Sequence, residues 1–458
     1  MSKEKGKGQR EMGKGRERKL SMRVLAFVAA LLLYPLPLRL SPLPLPLSLN
    51  LPSARAARND AALVSTATAA GRLAVFDDAW SRINDRYYDQ TFHGLDWDGQ
   101  RTIFRALAAR ANSSSELYAV LRRMIAALND PHTRVFSPEE KFDWWRPRFV
   151  SIGFTVAEVA GLPTVVRVDP DSAAHRAGVR PGDLIETVNG EAASAVIQNR
   201  LTNSTPAGAS SRFRIFAKLL DGPAETAVEL SWKGKNGKQK SARFDRHWQE
   251  RQLGLRVRRE RGEFVVIEID AFTKPIAIAF ARALKEKLGG TRGIILDLRG
   301  NGGGDAEAMS DIASSFLGSG NGLGQFTDRA GTSFTISTHS KSLLTPELIQ
   351  QTKLPLIVLT SERTASAAEI FVEALRVSNR ATIIGAETCG CVLAVRTRHL
   401  LPDGGLLDVS ELDYETPAGD RLEGHGIKAD ETILVERSDL YSGRDRAVKR
   451  AIDRLTKP

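Results

Sequence analysis

Cysteine is nearly absent, with only Cys389 and Cys391 in 458 residues. A single residue separates them, so they cannot staple distant elements, and a disulfide at that spacing is expected to be strained. No zinc-type spacing is present either, so no disulfide-built fold and no metal centre is expected. Phosphate-binding signatures are missing as well. The glycine-rich turn Arg-Gly-Asn-Gly-Gly-Gly-Asp (299–305) has no Gly-Lys-Ser/Thr ending and no G-x-G-x-x-G. The apolar run Val24 to Leu33 is too short to span a bilayer comfortably. Charge of one sign is lacking outside the first residues. The net charge is +11, but residues 1–58 hold 12 Lys/Arg and 3 Asp/Glu, which leaves 53 basic against 51 acidic side chains. A nearly balanced body argues against a nucleic-acid partner.

What is there begins with a leader. Basic residues from Lys3 to Arg23 precede the apolar run, a Pro/Leu stretch from Tyr34 to Pro52 follows, and Ala54-Arg55-Ala56 offers a small-x-small cleavage site. Residues 1–57 therefore read as an unusually long secretory signal, with Met22 as an alternative start. An uncleaved leader would instead associate the chain with a membrane. Either way the folded part is expected in the periplasm or outside the cell. With 42% hydrophobic residues the remainder can build cores, and its length suggests about three domains.

Residues 58–145 are helical by period. Leu73, Phe76, Trp80 and Ile83 make one stripe, Ile103, Leu107 and Ala108 a second, and Leu117, Val120, Leu121, Met124, Ile125 and Leu128 a third. The turn Asn-Asp-Pro-His-Thr (129–133) ends this segment and carries His132. Residues 146–235 change to strands, at Phe149 to Val156 and Thr164 to Val168, with a short helix after Asp171 and turn–strand–turn over 178–190. Ser151-Ile152-Gly153-Phe154, Arg180-Pro-Gly-Asp-Leu-Ile and Val188-Asn-Gly resemble the hallmarks of a PDZ domain. The resemblance implies that Ser151, Ile152, Gly153 and Phe154 form a loop capturing the carboxylate of an added peptide strand. A spacer with an unused groove is the plainer alternative.

From 240 to 437 strands and helices alternate. Phe264 to Ile269 and Gly293 to Leu298 are strands, Ile276 to Leu288 is a helix, and the alternation points to a layered α/β core. Leu354 to Thr360 is a buried strand, and from Ala367 the apolar residues Ile370, Phe371, Ala374 and Leu375 fall at helical spacing. Ser366 thus stands at the start of a helix that follows a buried strand, where free N–H groups and the helix dipole suit an attacking oxygen. Plain helix capping is the other reading of that serine. The glycine run lets backbone N–H groups approach a reacting carbonyl. Residues 438–458 read as a basic amphipathic helix, used for packing or as a solvated face.

The order of these parts resembles the C-terminal processing peptidases, serine proteases related to the tricorn core protease. The resemblance rests on Asn129 to Arg134, Asp297 to Gly304, Thr364 to Ile370, Gly385 to Gly390 and Glu423 to Ile427 with Asp430. It implies a multidomain α+β chain made of a helical N-terminal segment, a PDZ-like domain and an α/β peptidase core. It further implies Ser366 as nucleophile, with Gly303 and Ala367 supplying oxyanion N–H groups. The lysine of the Ser-Lys members aligns with Cys391, 25 residues beyond the serine, and their glutamine with Val395. A neutral thiol is a poor base, so the Ser-Lys dyad is absent, and Cys391 is read as lining the site beside Ser366, for specificity or, as the favoured reading, as a small apolar filler.

The tricorn branch uses a histidine before the PDZ region and a glutamate after the nucleophile. The carry-over assigns His132 as base and Glu423 as supporting carboxylate, with His425 as rival base and Thr364 as an aid to orientation. The expected substrate is a protein or peptide with a free C-terminus, and the reaction needs no cofactor. The alternatives are an inactive PDZ-containing envelope scaffold that binds C-terminal tails and a non-proteolytic acyl hydrolase.

Overall fold

The computed structural model describes residues 63–143, 146–202 and 209–457. The signal, cleavage-site, membrane-anchor and Met22 readings fall on residues outside that set. Among the described residues no helix is long and apolar enough to cross a membrane.

The α/β core is a six-stranded sheet in the spatial order 255–260, 264–269, 293–297, 356–360, 382–385, 431–432. Only the first pair is antiparallel; the other neighbours run parallel. Both faces are covered, so the central strands read as continuous apolar runs rather than alternating ones. Val265, Ile267, Ile294, Leu296, Val358 and Ile383 face the helices Lys274–Lys287, Ala306–Leu317 and Ala367–Val377. Phe264, Val266, Ile295, Ile357, Leu359 and Ile384 face the C-terminal helix Arg446–Thr456 through Ala447, Val448, Ala451 and Ile452. That last helix packs.

The N-terminal helices Ala69–Arg86, Trp97–Arg110 and Ser114–Ala126 bury Phe76, Trp80, Ile83, Leu117, Leu121 and Met124 as their periods require. Ile103 is exposed at 57%, and Ala108 and partly buried Leu107 carry that stripe. The same cluster contains Leu401, Leu407 and Val409 from the peptidase core. Strand Arg134–Phe136 pairs with Leu406–Asp408, which pairs with Arg398–Leu400. The helical segment therefore shares its core with a hairpin some 270 residues downstream, and His132 sits just ahead of that junction.

The PDZ-like domain has its own core around Val165, Ile185, Trp232 and Phe244. Strands Arg148–Ser151 and His247–Glu250, which lead into and out of it, pair as an antiparallel ribbon. The extended run expected from Phe149 to Val156 is broken at Gly153 (φ +90°) into Arg148–Ser151 and Phe154–Val159. Phe154–Val159 ends up as the edge strand of the domain's sheet.

Candidate active site

Three pieces of the site come from the C-terminal ends of neighbouring parallel strands, the usual site position in an open α/β sheet. After Leu356–Thr360 the chain turns through Thr364, which is fully buried. Thr364 Oγ1 donates to the Leu298 carbonyl (2.9 Å) and accepts the Ser361 N–H (3.1 Å). The Ala365 N–H donates to the Asn301 carbonyl (3.1 Å). Ser366 follows at φ +58°, ψ −129°, a conformation that costs energy for any residue with a side chain. Its N–H donates to the Cys391 carbonyl (2.7 Å) and to Glu369 Oε2 (3.2 Å). The Glu369 N–H goes to the Ser366 carbonyl (2.8 Å), and Ser366 and Glu369 face each other's backbone N–H as a capping box. The half-buried Ser366 hydroxyl on this strained turn makes no cap hydrogen bond among the described residues.

The glycine run lies against this turn. Gly303 has φ +97°, and a Cβ there would sit 2.7 Å from Ser366 Cβ and 2.9 Å from the Ala365 carbonyl. Only glycine fits. Its N–H donates to Asn301 Oδ1 (2.8 Å), so in this state the expected oxyanion donor is held by a side chain. The Ala367 N–H has no acceptor among the described residues. Asn301 is fully buried and its Nδ2 has no hydrogen-bond partner among the described residues.

Glu369 was not singled out by sequence reasoning, although its place three residues beyond the N-cap is capping-box spacing. The carboxylate is fully buried and accepts from Thr388 Oγ1 (2.5 Å), Gly390 N–H (2.7 Å), Cys391 N–H (2.8 Å) and Ser366 N–H. Thr388 Oγ1 in turn accepts the Ile427 N–H (2.7 Å). One side chain therefore ties the helix after Ser366, the 388–391 loop and the 423–427 loop together. Burial pushes its pKa up to about 7 against the pull of those donors.

The cysteines correct the sequence reading. Cys389 and Cys391 form a disulfide, so Cys391 is not a free thiol filler. The turn at Gly390, at φ +67°, leaves the two Cα atoms 5.2 Å apart, within ordinary disulfide reach. The bond does not join distant elements, as expected; it closes the loop that accepts the Ser366 N–H.

His132 follows an Asx turn in which Asp130 Oδ1 accepts the His132 N–H (2.7 Å) and Oδ2 accepts Thr133 N–H (3.2 Å) and Oγ1 (2.5 Å). Its Nδ1 is buried with no hydrogen-bond partner among the described residues, and Asp130 Oδ1 lies 3.8 Å from it. Burial pushes the imidazole below its usual range; Asp130 opposes this, while Arg134 and Arg214 add to it. Glu423 Oε2 accepts the Val392 N–H (2.6 Å) and the Leu393 N–H (3.1 Å). Burial holds Glu423 up at about 7, and the charges of Asp130 and Glu369 push the same way. Asp130 and Glu423 also bear on the Tyr87 hydroxyl, which is buried with no hydrogen-bond partner among the described residues, and on Arg214 of the PDZ-domain helix Ala209–Ala217. Neither a Ser366–His132 nor a His132–Glu423 hydrogen bond is formed. His425 is exposed, its Nδ1 3.1 Å from the Glu423 carbonyl oxygen.

In the PDZ-like domain, Ile152 and Phe154 are buried in its core. The Gly153 N–H donates to Ser151 Oγ (3.0 Å). Helix Ala209–Ala217 lies beside the edge strand, with Arg212 paired to Glu158 at 2.6 Å.

A half-buried serine on a strand-to-helix turn, flanked by a glycine turn and by the Ala367 N–H at a helix start, fits a serine hydrolase site on an α/β core. The family comparisons specify it further. The model for peptidase family S41 matches residues 263–433, the tricorn protease C1 domain matches 69–126, and a PDZ domain matches 164–198. Carboxyl-terminal-processing peptidase 1, chloroplastic, of Arabidopsis thaliana is 30% identical over 375 residues, covering 78% of this chain and 71% of that one. The carboxyl-terminal-processing protease of Synechocystis sp. is 27% identical over 402 residues, covering 82% and 85%. The chain belongs to the C-terminal processing peptidases of family S41 and is a serine peptidase. The fold is shared with the photosystem II D1 C-terminal processing protease (TM-score 0.50, 24% identity, 79% and 93% covered) and with mature CPAF (TM-score 0.63, 14% identity, 84% and 98% covered).

Proposed function

We propose that the chain is an exported endopeptidase that takes proteins by their C-terminal tails and cleaves them with Ser366, His132 and Glu423 instead of a Ser-Lys dyad. The observation that carries this is the state of Cys391. A sulfur bound in a disulfide has no proton chemistry to offer, so the base must come from elsewhere. Burial lowers the His132 pKa to about 4, which keeps the imidazole in the neutral form a base requires and makes it a weaker base than a free histidine. Catalytic hydrogen bonds are often absent without substrate and form in the Michaelis complex. In this mechanism Ser366 Oγ attacks the scissile carbonyl and His132 takes its proton, then gives it to the leaving amine. The oxyanion sits at the Ala367 N–H and the Gly303 peptide, once Asn301 releases the latter. A tail adds to the edge strand Phe154–Val159 with its carboxylate at the Ser151–Phe154 loop. The cell envelope is the proposed location; the leader and the presence of a disulfide both favour it.

The test is cleavage of an unstructured protein by the full chain beside Ser366→Ala, His132→Ala and Glu423→Gln. Loss in Ser366→Ala and His132→Ala establishes the Ser-His arrangement. Activity that survives His132→Ala moves the base to another group. No turnover by the parent, with retained binding of C-terminal peptides, makes the chain a scaffold. N-terminal sequencing of protein recovered from the envelope tests export.

A further inference from the structure

The two cysteines of the chain sit in one loop, and that loop is in the backbone web that holds the nucleophile. The Cys389 N–H donates to the Thr364 carbonyl (2.9 Å), and the Gly390 and Cys391 N–H groups donate to the two oxygens of Glu369. The Gly390 carbonyl accepts the Gly424 N–H (2.8 Å), and the Cys391 carbonyl accepts the Ser366 N–H (2.7 Å). Three consecutive residues thus touch the turn before Ser366, the helix after it and the segment that carries Glu423. There is no slack at the centre of the loop, since a Cβ on Gly390 would lie 2.8 Å from the His425 nitrogen.

We propose that the Cys389–Cys391 disulfide is a redox modification site of this peptidase, opened by a dithiol reductant, and that opening it lowers turnover by releasing the loop that positions Ser366. The proposal rests on the serine peptidase reading above. Access favours one direction of attack, because Cys391 is 2% exposed whereas Cys389 is only half-buried. A thiolate of the reductant attacks Cys389 Sγ. The S–S bond breaks, a mixed disulfide forms, and the electron pair leaves on Cys391 as a thiolate, which takes up a proton. The second thiol of the reductant then attacks its own sulfur of the mixed disulfide and releases Cys389. Two electrons and two protons have passed, leaving two cysteine thiols and an oxidised dithiol.

The opened loop keeps its hydrogen-bonding groups but loses the ring that pre-orients them. Ser366 in turn keeps its unfavourable backbone conformation only while its surroundings impose it. Misplacement by an ångström costs on the order of 100-fold in rate, and a partial release is expected to cost about 10-fold in kcat with KM unchanged. The proposed tail-binding strand Phe154–Val159 belongs to the PDZ-like domain, which has its own core.

The experiment uses the full chain, oxidised or treated with dithiothreitol. Thiols are counted by alkylation and mass spectrometry, Ser366 labelling is timed with a fluorophosphonate, and amide exchange is followed over 364–391. The expected result is two thiols after reduction, about 10-fold slower labelling and cleavage that recover on reoxidation, and faster exchange at the Ser366 and Cys391 amides. Cys389→Ser is expected to stay at the slow rate whatever the reductant. Two thiols with unchanged labelling and exchange overturn the proposal, as does a bond that dithiothreitol leaves closed. So does a loss accompanied by collapse of the far-UV circular dichroism, which would be unfolding. If the oxidised parent neither labels nor cleaves, the peptidase reading has failed, and the amide exchange alone decides whether the disulfide holds the Ser366 turn.

Discussion

Two residues at the candidate site are sensitive to change, for different physical reasons. At Gly303 the reason is steric. The added methyl of Gly303→Ala meets Ser366 Cβ at 2.7 Å and backbone at 2.9 Å, on a residue whose φ of +97° already disfavours a side chain. Backbone must move, so kcat is expected to fall by about 100-fold or more while circular dichroism stays native; near-parent turnover would place the reacting carbonyl away from this turn. At Glu369 the reason is charge. Four donors converge on its two oxygens, and a proton on either one leaves a donor without an acceptor. Glu423 accepts two N–H groups in the same way, and both carboxyls are held up at about 7. Activity that needs both ionised falls as pH drops through 7 with a limiting log–log slope approaching two. Glu369→Gln is expected to lower kcat and return that slope to one, which a kcat/KM profile from pH 5 to 9 reads directly. A slope of two in the variant would remove Glu369 from the site's titration.

At the scale of elements, the sheet positions the site and the C-terminal helix holds the sheet. Arg299, at the head of the glycine turn, is forked between Asp297 (2.6 Å) and Asp445 (2.7 Å), and Asp445 caps the last helix by accepting the Val448 N–H (3.0 Å). Beneath that cap Ile452 is 4% exposed against the second face of the sheet. Ile452→Ala is expected to destabilise the chain by about 2–5 kcal/mol in urea unfolding, leaving the kcat of the folded fraction unchanged. A smaller loss would mean the helix is dispensable.

Such elements were legible in the sequence where local period reports burial. The strands at 264–269 and 293–297 and the helix from Ala367 follow their apolar patterns. Ile103 misled because an apolar residue at helical spacing need not face a partner, and here it faces solvent. The hairpin Arg398–Asp408 under the N-terminal helices was not legible, since no local period links Val135 to Leu407. Within the candidate site, motif singled out Ser366 and Gly303, and the fold places the two against each other. Glu369 was passed over because a buried carboxylate looks like any helix-start glutamate until its four donors are in place. The disulfide escaped for a similar reason, as only the fold of the Gly390 turn brings the two sulfurs together.

For the whole molecule, the site imposes opposite demands on activity and stability. A carboxyl whose folded pKa exceeds its unfolded value binds a proton more tightly when folded, so its contribution to stability is fully present below the unfolded pKa and is lost as pH rises through the folded one. For Glu369 that window runs from its ordinary value of 4.5 up to about 7. The shift corresponds to about 3 kcal/mol, an order-of-magnitude figure for a side chain with no exposed surface. Other carboxyls move both ways, Asp221 and Asp305 upward and Asp77 and Asp445 downward, so the overall stability curve does not isolate the effect. The comparison with Glu369→Gln narrows it to Glu369 and the Glu423 titration its charge raises, because glutamine carries no titration. Relative to that variant, the parent's unfolding free energy is expected to fall steadily between pH 4.5 and 7 and to level off above, over the same interval in which its activity rises. Paired urea melts at half-unit pH steps measure it. A parent-minus-variant difference that is flat, or that rises with pH, would mean the four donors outweigh burial, and that the site carries its charge without cost to the fold.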